Sequence, residues 1–202
     1  LRAAIGGAVD DAAHETQKHG WDLSASLRRL AKAKAPDRQA LSALSCEVAS
    51  NARAMNLLDL SKCAWAFGSL SLQEARFFRH LSWRLSHLTS DLKPRTLAST
   101  AWAFAKVAML DQALAGHLAR QARGKLRVFK PQDLSALAWA FATAGAPEPA
   151  LMDALAEEAS QQAEQLQPQD LSNLAWSFAV LRMQGASGVR ALLCHATLEL
   201  SA

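Results

Sequence analysis

The chain has 202 residues, half of them hydrophobic, with 22 Lys and Arg against 18 Asp and Glu and a formal net charge of +4. No apolar run approaches the roughly 18 residues a membrane helix needs, so membrane insertion is not expected, and Cys46, Cys63 and Cys194 lack CxxC spacing, which fits unpaired thiols in a reducing compartment better than a disulfide framework. The charge is divided: residues 1–130 carry 20 Lys and Arg against 10 Asp and Glu, and residues 131–202 carry 2 against 8, so only the first part is suited to attract a polyanion.

The chain opens on Leu1 and not on methionine, which points to a mature or partial segment. Residues 1–21 read as a frayed helix interrupted by Gly6 and Gly7, the remnant of a preceding unit. A first helix is expected from Asp22 to about Lys34, closed by Ala35-Pro36, because the residue before proline is pushed out of the helical region. Its partner runs from about Asp37 to Ala54. From there the pairing repeats. First helices are expected to end near Ser69, Val107, Ala144 and Leu181, and second helices to cover about Leu72 to Leu88, Asp111 to Gly124, Glu148 to Gln165 and Ser187 to Leu200. Pro94, Pro131 and Pro168 fall in a first turn, where the missing amide donor is not needed. Asp133 and Asp170 follow in the same turn, where a carboxylate complements the helix dipole. The segment Gly145 to Pro149 and the segment Gln184 to Gly188 are the clearest breaks, and no strand-like alternation is present.

One interval governs these elements. Trp65, Trp102, Trp139 and Trp176 each lie 37 residues from the next. The same step connects Asp59, Thr96, Asp133 and Asp170, then Leu60, Leu97, Leu134 and Leu171, then Phe67, Phe104, Phe141 and Phe178. One period earlier, Asp22, Leu23 and Ser24 begin a degenerate copy with Arg28 in the Trp slot. A second column of Leu44, Leu81, Leu118, Leu155 and Leu192 belongs to the partner helices. A fixed period of this size means one supersecondary unit stacked on itself. The expected fold is all-α: an α-solenoid of about five antiparallel helix pairs forming a single array over residues 1–202, with repeats at about 22–58, 59–95, 96–132, 133–169 and 170–202.

Placed at about 100° per residue with Arg95 at zero, Leu97, Ala101 and Phe104 fall around 180–240° and Trp102 near 340°, while Thr96, Ser99, Ala103 and Lys106 lie between about 20° and 100°. The Phe, Leu and Trp directions are expected to be buried, with the Trp column as a packing ladder between repeats. The alanine before each Trp allows close helix approach.

The runs PQDLSALAWAFA from Pro131 to Ala142 and PQDLSNLAWSFA from Pro168 to Ala179, with weaker forms upstream, resemble the octotricopeptide repeats of organellar RNA-binding proteins, related to the repeats of RAP-domain and FAST-kinase-like proteins. The resemblance covers about residues 22–200. It implies antiparallel helix pairs stacked into a superhelix, expected to be right-handed. It also implies sequence-selective binding of single-stranded RNA and a role in organellar RNA metabolism or translation, in a mitochondrion or plastid. No RAP domain is visible, so nuclease-like activity is not implied.

An array suits RNA because each repeat offers the same solvent arc to successive bases. The candidates on that arc are Lys62 and Ser69, Ser99 and Lys106, Thr143 beside Ala136, and Asn173 and Ser177, with Arg29 and Lys32 from the degenerate copy. Asn, Ser and Thr can hydrogen-bond base edges, and Lys and Arg can meet phosphates. A second basic cluster, Arg120, Arg123, Lys125, Arg127 and Lys130, could hold single-stranded or ribosomal RNA, and Arg76, Arg79, Arg84, His80 and His87 form a similar patch. Five repeats address only about five nucleotides if each reads one base. The alternative is therefore a scaffold subunit of a large organellar assembly, such as a mitoribosome or a bioenergetic complex, with a protein partner at the acidic end carrying Glu157, Glu158 and Glu164. Enzymatic chemistry is not expected: no phosphate-cradling glycine loop, HExxH or GxSxG is present, and no cofactor or metal is expected because the six histidines lack ligand spacing.

Overall fold

A computed structural model of the chain describes residues 22–33, 38–87, 92–183, 188–190 and 194. The expected frayed helix over 1–21, the Ala35-Pro36 stop and most of the Gln184 to Gly188 break and of the last second helix lie outside the described residues. The described residues are helical and contain no strand. The chain divides into two compact units, Leu1–His87 and Leu88–Ala202. Each is built of α-solenoid helix pairs.

In the first unit, α1 (residues 22–32) and α3 (Leu57–Ser69) are first helices, and α2 (Arg38–Asn51) and α4 (Ala75–Ser86) are second helices. Asn56 caps α3, its Oδ1 accepting from the Asp59 amide at 2.9 Å, which supplies one of the bonds a helix start otherwise lacks. Leu60, Phe67, Phe77, Phe78, Leu81 and Leu85 are fully buried. Phe67 meets Phe77 edge-on with ring centroids 4.9 Å apart, and Phe77 meets Phe78 the same way at 5.4 Å, the geometry the ring quadrupoles favour.

In the second unit, α5 (Pro94–Lys106), α7 (Pro131–Ala144) and α9 (Pro168–Val180) are first helices, and α6 (Gln112–Arg123) and α8 (Pro149–Gln161) are second helices. Each first helix begins on its proline at N1, as the sequence predicts. Helix α7 packs along both α5 and α9. The approach is made by small residues, since Ala101, Ala103, Ala138 and Ala140 are wholly buried. After α6 and α8 come short 3-10 turns, Leu126–Val128 and Ala163–Gln165, the second of which lies inside the helix that the sequence predicts from Glu148 to Gln165. At the far end, helical Gly188 is packed on α8 so closely that a Cβ there would lie 2.5 Å from the Ala156 carbonyl carbon.

The aspartate column does more than complement a dipole. Asp59, Asp133 and Asp170 are all buried, and each is held by the preceding repeat. Ser24 donates to Asp59 at 3.3 Å and Ser135 to Asp170 at 2.7 Å. Alanine 98 occupies the serine position before Asp133, and there Arg95 reaches Asp133 instead at 2.9 Å. A second repeating latch joins the ends of second helices to the carbonyls ahead of first helices: Lys125 Nζ donates to Leu92 O at 2.9 Å, and one period later Gln162 Nε2 donates to Phe129 O at 3.2 Å.

The first helices α3, α5, α7 and α9 also end alike. Ser71, Ala108, Gly145 and Arg182, spaced by the repeat period, have φ of 55, 55, 59 and 56°. The amide after each returns to the carbonyl of Phe67, Phe104, Phe141 or Phe178, the long bond of a Schellman cap. Only one of the four is glycine. Left-handed backbone costs a non-glycine residue about 1–2 kcal/mol, and glycine returns about 0.4–1 kcal/mol of that through the unfolded chain. Ala108→Gly is therefore expected to raise stability by about 0.5–1 kcal/mol, read as a higher urea midpoint at unchanged slope. A lower midpoint would mean that this cap is not strained.

Candidate nucleic-acid interface

Residues four, seven and eleven positions after the start of a helical stripe share one face. On α5 the stripe is Arg95, Ser99, Trp102 and Lys106; on α7 it is Gln132, Ala136, Trp139 and Thr143; on α9 it is Gln169, Asn173, Trp176 and Val180. Leucine, alanine and phenylalanine columns occupy the rest of the circumference and are buried on α5 and α7, where this stripe is what remains open; on α9, Leu174 and Phe178 are buried but Leu171 and Ala175 are half-buried and Ala179 is exposed.

The tryptophans lie on it. Trp102 and Trp139 are half-buried, and Trp176 is 45% exposed. Their indoles follow one another at 6.3 Å (Trp102 to Trp139, 35° between planes) and 6.4 Å (Trp139 to Trp176, 29°). The expectation that the Trp column is buried core is thereby corrected. The rings pack on one another as a ladder, but the ladder is laid along the open face. Three serially offset indoles offer edges and partial faces to a planar ligand.

In the first unit the same column is occupied by Arg28 and Trp65, the guanidinium sitting 5.9 Å from the ring centroid, a cation–π contact. Arg29, Lys32 and Ser69 are exposed, with the Ser69 hydroxyl donating to Trp65 O. Lys62 is half-buried and held by Asp59 at 2.7 Å, so part of its charge is already answered.

In the second unit Lys106 and Thr143 are exposed and Ser99 is half-buried, its hydroxyl on Thr96 O. Asn173 is half-buried, and its Oδ1 accepts from Gln169 at 3.1 Å. Ser177 does not belong to this set. It is fully buried and donates to Asn173 O at 2.6 Å, because its column is that of Ala66, Ala103 and Ala140. The residue one period after Thr143 is Val180, 47% exposed. Sequence reasoning also passed over Arg95 and Gln132, which meet at 3.0 Å on the face.

The basic cluster of α6 and the turn behind it is less available than its sequence implies. Lys125 serves the latch to Leu92. Arg123 and Arg127 line a cleft of about 410 Å³ that Glu157 and Glu158 of α8 also line, so carboxylates face the guanidiniums there. Arg120 and Lys130 are exposed. His117, hydrogen-bonded with Gln121 at 3.0 Å, has its pKa lowered by burial and by the neighbouring Arg120 charge. The Cys63 thiol is pushed up to about 12 by burial and then by Asp59, against the opposing pull of Lys62. It is an unreactive core thiol. Among the described residues no His, Cys, Asp and Glu group could hold a metal ion, and no helix is long and apolar enough to cross a membrane.

Fold and face together define an all-helical repeat protein with an aromatic ladder between polar columns. Residues 22–200 match the family of the RNA-editing substrate-binding complex 6 protein. The chain belongs to that family of RNA-associated helical proteins. No curated protein matches the chain.

Proposed function

We propose that this protein is a non-catalytic RNA-binding helical-repeat protein of mitochondrial RNA metabolism, which holds single-stranded RNA along the open face of its first helices in the manner of octotricopeptide repeats. The observation that carries this reading is the half-exposed Trp102–Trp139–Trp176 ladder, flanked on the same face by Ser99, Lys106, Thr143 and Asn173. Stacking is sequence-tolerant, and the flanking polar columns differ from repeat to repeat, so the ladder supplies affinity and the columns supply preference. The rung spacing of 6.3–6.4 Å is nearly twice the 3.4 Å rise of a stacked strand. A strand following the ladder is therefore unstacked, at one nucleotide per repeat. The family name supports the RNA assignment through its reference to an RNA-editing substrate.

A scaffolding role inside a complex is the second reading. The family name refers to a complex, and Glu157 and Glu158 of α8 give a protein partner something to recognise away from the RNA face.

Binding of the chain to short single-stranded RNA pools across a salt series tests the proposal. Lys106 and Arg95 are the exposed cations on the ladder face of the second unit, and one to two phosphate contacts there give a log–log slope of roughly −0.7 to −1.4. Lys106→Gln is expected to reduce the slope by about 0.7. No binding at low salt would remove the RNA reading and leave the scaffold.

A further inference from the structure

The second helices of the first unit carry a separate basic cleft. Where the end of α2 meets α4, a cavity of about 550 Å³ is lined by Ser50, Arg53, Arg76, Arg79 and His80 together with two alanines. Three guanidiniums face it and no carboxylate does. Among the described residues, none of the three forms a salt bridge. Arg84, grouped with this patch by sequence, instead donates to Met55 O at 3.3 Å, and Arg53 from the turn after α2 takes its place. His80 registers the field: its pKa is lowered by burial first and then by Arg84 and Arg53, with a smaller opposing contribution from the Ala52 backbone.

One turn further along α4 stands Trp83, which is 56% exposed. Its ring lies 6.1 Å from His80 and 4.8 Å from His87, tilted by 26° and 34°, and the His87 ring nitrogen is fixed on Trp83 O at 2.8 Å. The indole is flanked along α4 by two imidazoles yet more than half exposed, and His80, which lines the arginine cleft, connects it to that cleft.

An aromatic platform adjoining three unpaired guanidiniums matches the two halves of a nucleotide, a planar base and a phosphate. We propose that this cleft binds a phosphorylated nucleotide of RNA, with Arg53, Arg76 and Arg79 holding the phosphate and Trp83 carrying the base. The site lies on α2 and α4, not on the first-helix face, and does not depend on the function proposed for that face. An acidic peptide would satisfy the arginines but leaves the exposed indole without a role.

The test is calorimetric titration of the full chain with adenosine 5′-monophosphate, adenosine, inorganic phosphate and an Asp/Glu-rich peptide. Saturable binding of the monophosphate in the millimolar range or tighter is expected, with weaker binding of inorganic phosphate and none of adenosine. Arg76→Gln and Arg79→Gln should each weaken the monophosphate about tenfold. Trp83→Ala should weaken it about fivefold or more while leaving inorganic phosphate unchanged. These exposed residues can be changed without entering the core, and circular dichroism checks that the variants fold. Because a nucleotide also meets the first-helix ladder if that face binds RNA, dependence on Arg76 and Arg79, and not binding alone, assigns the titration to this cleft, and failure of the first-helix face is read separately. No monophosphate binding, binding insensitive to both arginines, or tighter binding of the acidic peptide through the same arginines would each overturn the proposal.

Discussion

Replacing Phe141 with alanine is expected to lower stability by roughly 3–5 kcal/mol, the range for truncating a buried aromatic ring. Phe141 has no exposed surface, and it lies on α7, the helix that packs along both α5 and α9. Its own carbonyl receives the Ala146 amide that closes the helix end. The helices around Phe141 are drawn close through buried alanines such as Ala101, Ala103, Ala138 and Ala140, a packing that leaves little freedom to collapse into the space, so the cost is expected toward the upper part of the range. Phe141→Leu should recover much of the loss because it keeps most of the volume. In a stacked array each unit is stabilised by its neighbours, so amide exchange in the alanine variant should quicken in α5 and α9 as well as in α7. A destabilisation below about 1 kcal/mol in urea denaturation would mean that the phenylalanine column is not the core.

The frame of this molecule is legible in one-dimensional form because a repeat writes each structural position several times. Proline at 94, 131 and 168 marks the first residue of α5, α7 and α9, and the sequence-read ends of those helices agree with the structure to within a residue. The latches were less legible. Lys125 looks like one more free cation in a basic run, and only the fold shows its ammonium on Leu92 O. Arg95 compensates for Ala98 at Asp133 through a contact between residues 38 apart in sequence. The left-handed caps at Ser71, Ala108 and Arg182 carry no glycine to announce them. Two residues at the interface depart from the sequence-based expectation. Trp102, near 340° on the helical projection, stands within about 60° of Lys106 and Ser99, so its angle places it on the solvent arc despite its aromatic character. Ser177 shares the column of Ala103, which the projection places on the solvent arc beside Ser99 and Lys106, yet Ala103 and Ala140 have no exposed surface, so the open arc is narrower than the projection implies.

Trp139→Ala is the change expected to affect RNA binding most. Trp139 is the middle rung, with Trp102 at 6.3 Å and Trp176 at 6.4 Å, so its loss opens both gaps in the ladder at once. Base–aromatic stacking contributes about 1–3 kcal/mol per base, and the variant should lose roughly 5- to 150-fold in affinity for single-stranded RNA. The loss should be nearly independent of base identity, and the salt slope should stay as it was, because no phosphate contact has been removed. Trp139→Phe keeps a ring at the position and should retain most of the affinity. A purely structural ladder predicts another pattern: both variants would lower the urea midpoint, and RNA affinity at saturating folding conditions would be unchanged. The half-exposure of Trp139 separates it from Phe141 in advance, since burying part of an indole stabilises less than burying a whole phenyl ring. The stability loss of Trp139→Ala should therefore be the smaller of the two, and its affinity loss much the larger. If the two losses rank the other way, the open face of the first helices is a packing surface and the RNA lies elsewhere.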